Sequence, residues 1–321
     1  MRTFQCPQCD ARLFFENSSC LRCGAFVAYD LVNDALVLGS VPCASSATVE
    51  QCNWVAGLTG WCASCLLDMD HTPTVERQPF QDAKRRALRQ LWRLGVPLHA
   101  SPPLRFDLQH SCPGQRVVTG HENGLITLDT AEADPARRES IRTSLDEPYR
   151  SPLGHVRHET GHWFWAAGRD RWFALDAFRR AFGDERADYG DALEAHYSGR
   201  HAAEPWRDRH VTLYASAHPW EDFAESFAHV LHMVETMETA RAQGLAPAMA
   251  GGPLALRPWD DFDRYYEAWV DTALVLNELC RSMGVADPYP FAPSPAAVDK
   301  LRFVVHAVAA ASAGLIDTHS G

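Results

Sequence analysis

Residues 154–165 read Gly-His-Val-Arg-His158-Glu159-Thr-Gly-His162-Trp-Phe-Trp, a His-Glu-x-x-His pattern. On a helix, residues four apart share a face, so His158 and His162 can present both imidazoles to one metal ion. Zinc accepts neutral imidazole nitrogen at about 2.0–2.1 Å, and a catalytic site leaves one position open for water. Glu159 follows the first histidine directly, where a carboxylate can take a proton from that water. With fifteen histidines in the chain the pattern can arise by chance. Its context favours a built site: it falls in a helix-forming stretch, after a strand pair, and runs into Trp163, Phe164 and Trp165.

Two histidines need a third protein ligand. An extended motif would place another histidine at position 168, which is Gly168. The stretch Pro219-Trp-Glu221-Asp-Phe-Ala-Glu225-Ser-Phe-Ala offers carboxylates instead. Glu221 and Glu225 share a helical face, and Ala224 and Ala228 are small enough for close helix packing. We assign Glu221 to the metal and Glu225 to a hydrogen bond that orients a ligating histidine. The exchanged order, or a merely solvated Glu225, stays open. Asp222, His229 and His232 read as surface or packing residues, and so does His155, one turn before His158. Tyr214 stands seven residues before Glu221. A phenol near zinc can stabilise the oxyanion of a tetrahedral intermediate, although a tyrosine in a loop is ordinarily packing. His196 and Tyr197 compete for that role, while His121 and Glu122 have no special claim.

Eight of the ten cysteines fall within residues 6–65. Cys6-Pro-Gln-Cys9 and Cys20-Leu-Arg-Cys23 are two C-x-x-C pairs whose four thiolates can complete a tetrahedral structural zinc site. Cys62-Ala-Ser-Cys65 supplies a further pair, with Cys43 and Cys52 as its completing ligands; a reduced buried pair is the plainer alternative. Sites of four thiolates have no open position, so they scaffold rather than catalyse. Cys112 and Cys280 are isolated. The start of the chain carries no apolar stretch of the secretory kind, so metal binding is expected over disulfides, in a cytoplasmic setting.

The elements that must position these residues follow from periodicity. Residues 1–75 are rich in cysteine and turns, with a polar stretch from Asp70 to Pro79 as linker. Apolar spacing predicts a helix over Asp82–Leu94, ended by Gly95 and Pro97. Leu104–Leu108 alternates, and Arg116–Thr119 and Leu125–Leu128 flank Gly120–Gly124, a hairpin with an Asn-Gly turn. After residue 130 helices are predicted near 135–144, 152–167, 171–181, 187–198, 219–242, 259–283 and 294–312, with Pro152, Pro219 and Pro258 in first turns. The fold class is α+β: a four-cysteine zinc-ribbon module over 1–75, then a mostly helical domain with a small antiparallel sheet over 76–321. No apolar run is long enough to span a membrane. The net charge of −11 and the few basic residues of the module (Arg2, Arg12, Arg22) argue against a nucleic-acid partner.

Taken together, Cys6-x-x-Cys9, Cys20-x-x-Cys23, Cys52-Asn-Trp, Cys62-x-x-Cys65, Arg157-His-Glu-Thr-Gly-His162 and Trp220-Glu-Asp-Phe-Ala-Glu-Ser-Phe-Ala228 resemble bacterial proteins that join a zinc ribbon to a zinc-dependent metallopeptidase domain. A more distant likeness is to the catalytic domain of anthrax lethal factor, a gluzincin. That likeness implies that the domain over 76–321 is zincin-like, with His158, His162 and Glu221 as ligands of one catalytic zinc, Glu159 as general base and Tyr214 as oxyanion donor. The expected activity is amide hydrolysis on a peptide or protein, with one catalytic and two structural zinc ions. Leu125–Leu128 is expected to pair with an extended peptide, and the ribbon to face a protein partner. An inactive, zinc-stabilised adaptor is the alternative.

Overall fold

The computed structural model describes residues 1–198, 205–245 and 258–317. The cysteine-rich part holds two short hairpins, β1 (Phe4–Gln5) with β2 (Arg12–Leu13), and β3 (Ala28–Asp30) with β4 (Ala35–Val37), both antiparallel. Phe15, Tyr29 and Trp54 fill its centre, with ring centroids 4.8 Å apart for Phe15–Tyr29 and 5.2 Å for Tyr29–Trp54. This small core continues into that of the helical body.

Helix α1 (Gln78–Arg93) joins the two parts. It carries buried polar groups, which is unusual for a helix interior and here has a cause: Gln81, Lys84, Arg85 and Arg89 meet partners from the cysteine-rich part, and Gln90 meets Arg157 and Leu231 of the helical body. Lys84 pairs with Asp68, and Arg89 with Asp34. Just before the helix, Arg77 pairs with Glu50 at 2.7 Å.

A three-stranded sheet follows, made of β5 (Arg105–Gln109), β6 (Gly120–Glu122) and β7 (Leu125–Asp129) in the order β5-β7-β6. The β6–β7 hairpin is antiparallel, whereas β5 joins β7 in parallel. The Asn-Gly turn lies where the sequence places it, with φ of +49° at Asn123 and +91° at Gly124. A side chain at 124 would strike the Pro103 carbonyl oxygen, so glycine is required twice over. The turn is tighter than expected, however. His121 and Glu122, read as turn residues, belong to β6, and 116–119 lie outside the strand. Strand β7 is paired on both sides, leaving β6 at the edge.

The helices are α2 (Pro135–Ser144), α3 (Pro152–Gly168), α4 (Leu175–Phe182), α5 (Tyr189–Tyr197), α6 (Pro219–Ala242), α7 (Phe262–Ser282) and α8 (Pro295–Asp317). Pro152 and Pro219 open α3 and α6, each after a side-chain cap from Ser151 or His218. Pro258 opens no helix: α7 starts at Phe262 with Asp261 as cap, because the Asp261 carboxylate receives the Arg264 N–H. Among the described residues no helix is long and apolar enough to cross a membrane.

Candidate metal centres

Helices α3 and α6 pack against each other along the small residues Gly161 and Ala224. An added Cβ at 161 would sit 2.9 Å from the Ala224 Cα. That close approach brings three donor atoms from the two helices together. The His158 and His162 Nε2 atoms are 3.2 Å apart, and Glu221 Oε2 lies 3.0 Å from the first and 3.4 Å from the second. A tetrahedral ion with bonds of about 2.0–2.1 Å separates its ligand atoms by roughly 3.3 Å. The spacing therefore suits zinc.

Charge points the same way. Glu221 is 1% exposed; burial opposes its ionisation, but His162 and His158 outweigh this and hold its carboxyl well below the usual range. Burial likewise opposes protonation of His158, and the Glu221 and Glu225 carboxylates overcome it, raising its pKa well above the ordinary value. The donors thus favour positive charge where they meet.

Glu225 accepts from His158 Nδ1 at 2.6 Å, which directs Nε2 of that ring to the other donors. The Thr212 hydroxyl in turn donates to the second oxygen of Glu225 at 2.8 Å. Glu159 is 6% exposed, and its Oε2 has no hydrogen-bond partner among the described residues. Burial raises its pKa, making it a readier proton acceptor than an exposed carboxylate. Tyr214 sits in a short 3-10 turn, its ring 5.8 Å from that of His158. The ring of His196 approaches Tyr214 at 5.6 Å, and Tyr197 is largely exposed.

The other candidates are engaged elsewhere. His155 and Arg150 share Glu132, Asp222 binds Lys300 and His210, and His229 meets the Tyr289 hydroxyl at 2.8 Å. His232 lies behind α3 against Arg157, whose guanidinium also pairs with Glu235.

Two further residues stand beside the three donors: Tyr189, which the sequence does not single out, and His121, to which it gives no special claim. Tyr189 donates its hydroxyl to Glu221 Oε1 at 2.6 Å, a contact between α5 and α6 that no local spacing announces. His121 on β6 lies parallel to His162 at 6.4 Å between ring centroids. Its Nε2 accepts the Gly124 N–H, and burial beside His162 lowers its pKa to about 4. Recognising residues 120–122 as strand, where alternate side chains share a face, would have drawn attention to it.

In the cysteine-rich part, Cys6, Cys9, Cys20 and Cys23 form one cluster, and Cys43, Cys52, Cys62 and Cys65 another. Sulfur–sulfur distances are 3.7 Å for Cys6–Cys23, Cys9–Cys20 and Cys52–Cys62, and 3.9 Å for Cys52–Cys65. Disulfides would need about 2.0 Å, whereas tetrahedral zinc with bonds of about 2.3 Å spaces its sulfurs by roughly 3.8 Å. Both clusters fit zinc.

Comparison with known proteins agrees with this chemistry. Residues 76–308 match the family described as "Putative zinc-binding metallo-peptidase", and residues 3–41 match a zinc-ribbon domain. Similar relatives include an uncharacterized protein of Mycobacterium bovis (Mb2598c) and one of Mycobacterium tuberculosis (Rv2568c). Each is 39% identical over 326 residues, covering 95% of this chain and 94% of the relative. No solved structure matches the chain.

Proposed function

The chain belongs to the zinc-binding metallo-peptidase family, and from that premise we propose that it is a peptidase of gluzincin type. His158, His162 and Glu221 hold one catalytic zinc, and the two cysteine clusters hold structural zinc. The observation that carries this reading is the convergence of three donor atoms from α3 and α6 at 3.0–3.4 Å.

Bound zinc supplies Lewis acidity, polarising a carbonyl and lowering the pKa of a water. Glu159 takes the proton of the attacking water and passes it to the departing amine nitrogen. Its unpartnered oxygen supports that role, because no other group competes for the position. Tyr214 donates a hydrogen bond to the carbonyl oxygen as negative charge builds there. A peptide substrate lies extended along β6. This revises the expectation for Leu125–Leu128, since β7 is already paired on both sides and β6 has an unpaired edge among the described residues. His121 brings that edge beside His162.

Replacing Glu159 by Gln tests the general base. Turnover of a peptide found by library digestion should fall by about two to four orders of magnitude, while zinc at the histidine site stays. A Glu159→Gln chain that hydrolyses the peptide at the parental rate would refute the role. Replacing His162 by Ala should release the histidine-site zinc and leave the thiolate-bound zinc in place.

A further inference from the structure

The two oxygens of Glu221 have different surroundings. Oε2 faces the imidazoles, while Oε1 accepts from the Tyr189 hydroxyl at 2.6 Å. Tyr189 comes from α5, a different helix from the two that carry the donors, and its place is fixed from several sides. The Asp188 side chain caps α5 by accepting the Asp191 N–H. The Tyr189 ring packs edge-on to His218 at 5.2 Å and lies 5.8 Å from Trp220. Those two residues flank Pro219 at the start of α6, so one cluster sets both the phenol and the first turn that bears Glu221.

A carboxylate with one free oxygen can rotate and bind a cation through both oxygens. At a zinc already holding two imidazoles, that second oxygen would occupy the position needed by water or substrate. A hydrogen bond to Oε1 opposes the rotation. We propose that Tyr189 is a positioning residue that commits Glu221 to coordination through Oε2 alone and so preserves the open position. This rests on the reading of Glu221 as a metal ligand. The two phenols then differ in role, Tyr189 serving the ligand and Tyr214 the substrate carbonyl.

The test uses the full chain with zinc kept in the thiolate sites. Zinc affinity at the histidine site is measured by competition with a chromogenic chelator for the parent, Tyr189→Phe and Glu221→Ala. Cobalt is then exchanged into that site and its visible absorption recorded. Tyr189→Phe removes a single hydroxyl, and retained thiolate-bound zinc reports that the variant is folded. Its zinc affinity should fall about tenfold or more, and its cobalt bands should weaken as the coordination number rises. A hydroxyl that merely ties α5 to α6 would leave the cobalt spectrum unchanged. Parental affinity and spectrum in Tyr189→Phe, with metal lost in Glu221→Ala, overturn this inference and leave the ligand assignment standing. Metal retained in Glu221→Ala overturns both.

Discussion

Glu225 is not a proposed ligand, yet it holds the ring of a residue that is. Its carboxylate fixes the tautomer of His158 by accepting from Nδ1, and Thr212 fixes the carboxylate. Partners of this kind typically contribute about 10–100-fold to metal affinity. Replacing Glu225 by Ala should therefore weaken zinc at the histidine site by about that factor in chelator competition, with the thiolate zinc unaffected. Unchanged affinity would mean that packing alone orients the ring. Residues at this scale differ in how legible they are. The pairs four apart, His158 with His162 and Glu221 with Glu225, are visible in the sequence because a helix turns their spacing into a shared face. The C-x-x-C pairs are visible because a short turn does the same. Tyr189 is not, since its hydroxyl reaches Glu221 across 32 residues, and only tertiary packing decides which tyrosine arrives there.

Helices α3 and α6 must approach closely for the donors to meet, and Gly161 permits it. An alanine there places its Cβ 2.9 Å from the Ala224 Cα and 3.2 Å from the Ala224 oxygen. These are backbone atoms, so relief requires the helices to separate. Alanine improves helix propensity by about 1 kcal/mol, while overpacking a tight interface costs about 1–3 kcal/mol. The packing cost should prevail. Gly161→Ala is expected to lower the unfolding free energy by up to about 2 kcal/mol and to weaken zinc binding at the histidine site, both read from denaturant titration with metal release. A variant more stable than the parent and with parental affinity would show that the interface yields without moving the donors. Element boundaries are mostly legible where caps and prolines mark them, as at Ser151-Pro152 and His218-Pro219. The sheet is less so. Alternation identifies β5 and β7, but strand order depends on long-range pairing, and this is why the edge falls to β6 rather than β7.

At the scale of the whole molecule, the thiolate clusters and the histidine site are linked through α1. On one side of that helix, Lys84 pairs with Asp68, three residues after Cys65, and Gln81 donates to the same carboxylate at 2.8 Å. Further along, Gln90 donates to the Leu231 carbonyl of α6 at 2.6 Å and accepts from Arg157 of α3 at 2.8 Å. The helix thus touches both donor-bearing helices and the segment that follows the second cysteine cluster. Both members of the Lys84–Asp68 pair are buried, so removing the carboxylate leaves a buried ammonium group without its ion-pair partner. Breaking a buried pair in this way costs about 3–5 kcal/mol, a large share of the roughly 5–15 kcal/mol that holds a domain folded. Asp68→Ala should therefore lower the unfolding free energy by several kcal/mol. Because α1 bridges the two parts, zinc should leave the histidine site in the same cooperative denaturant transition that unfolds the cysteine-rich part. Two separate transitions, with histidine-site zinc surviving the first, would show that the ribbon is a detachable attachment and not part of the frame that holds α3 and α6 together.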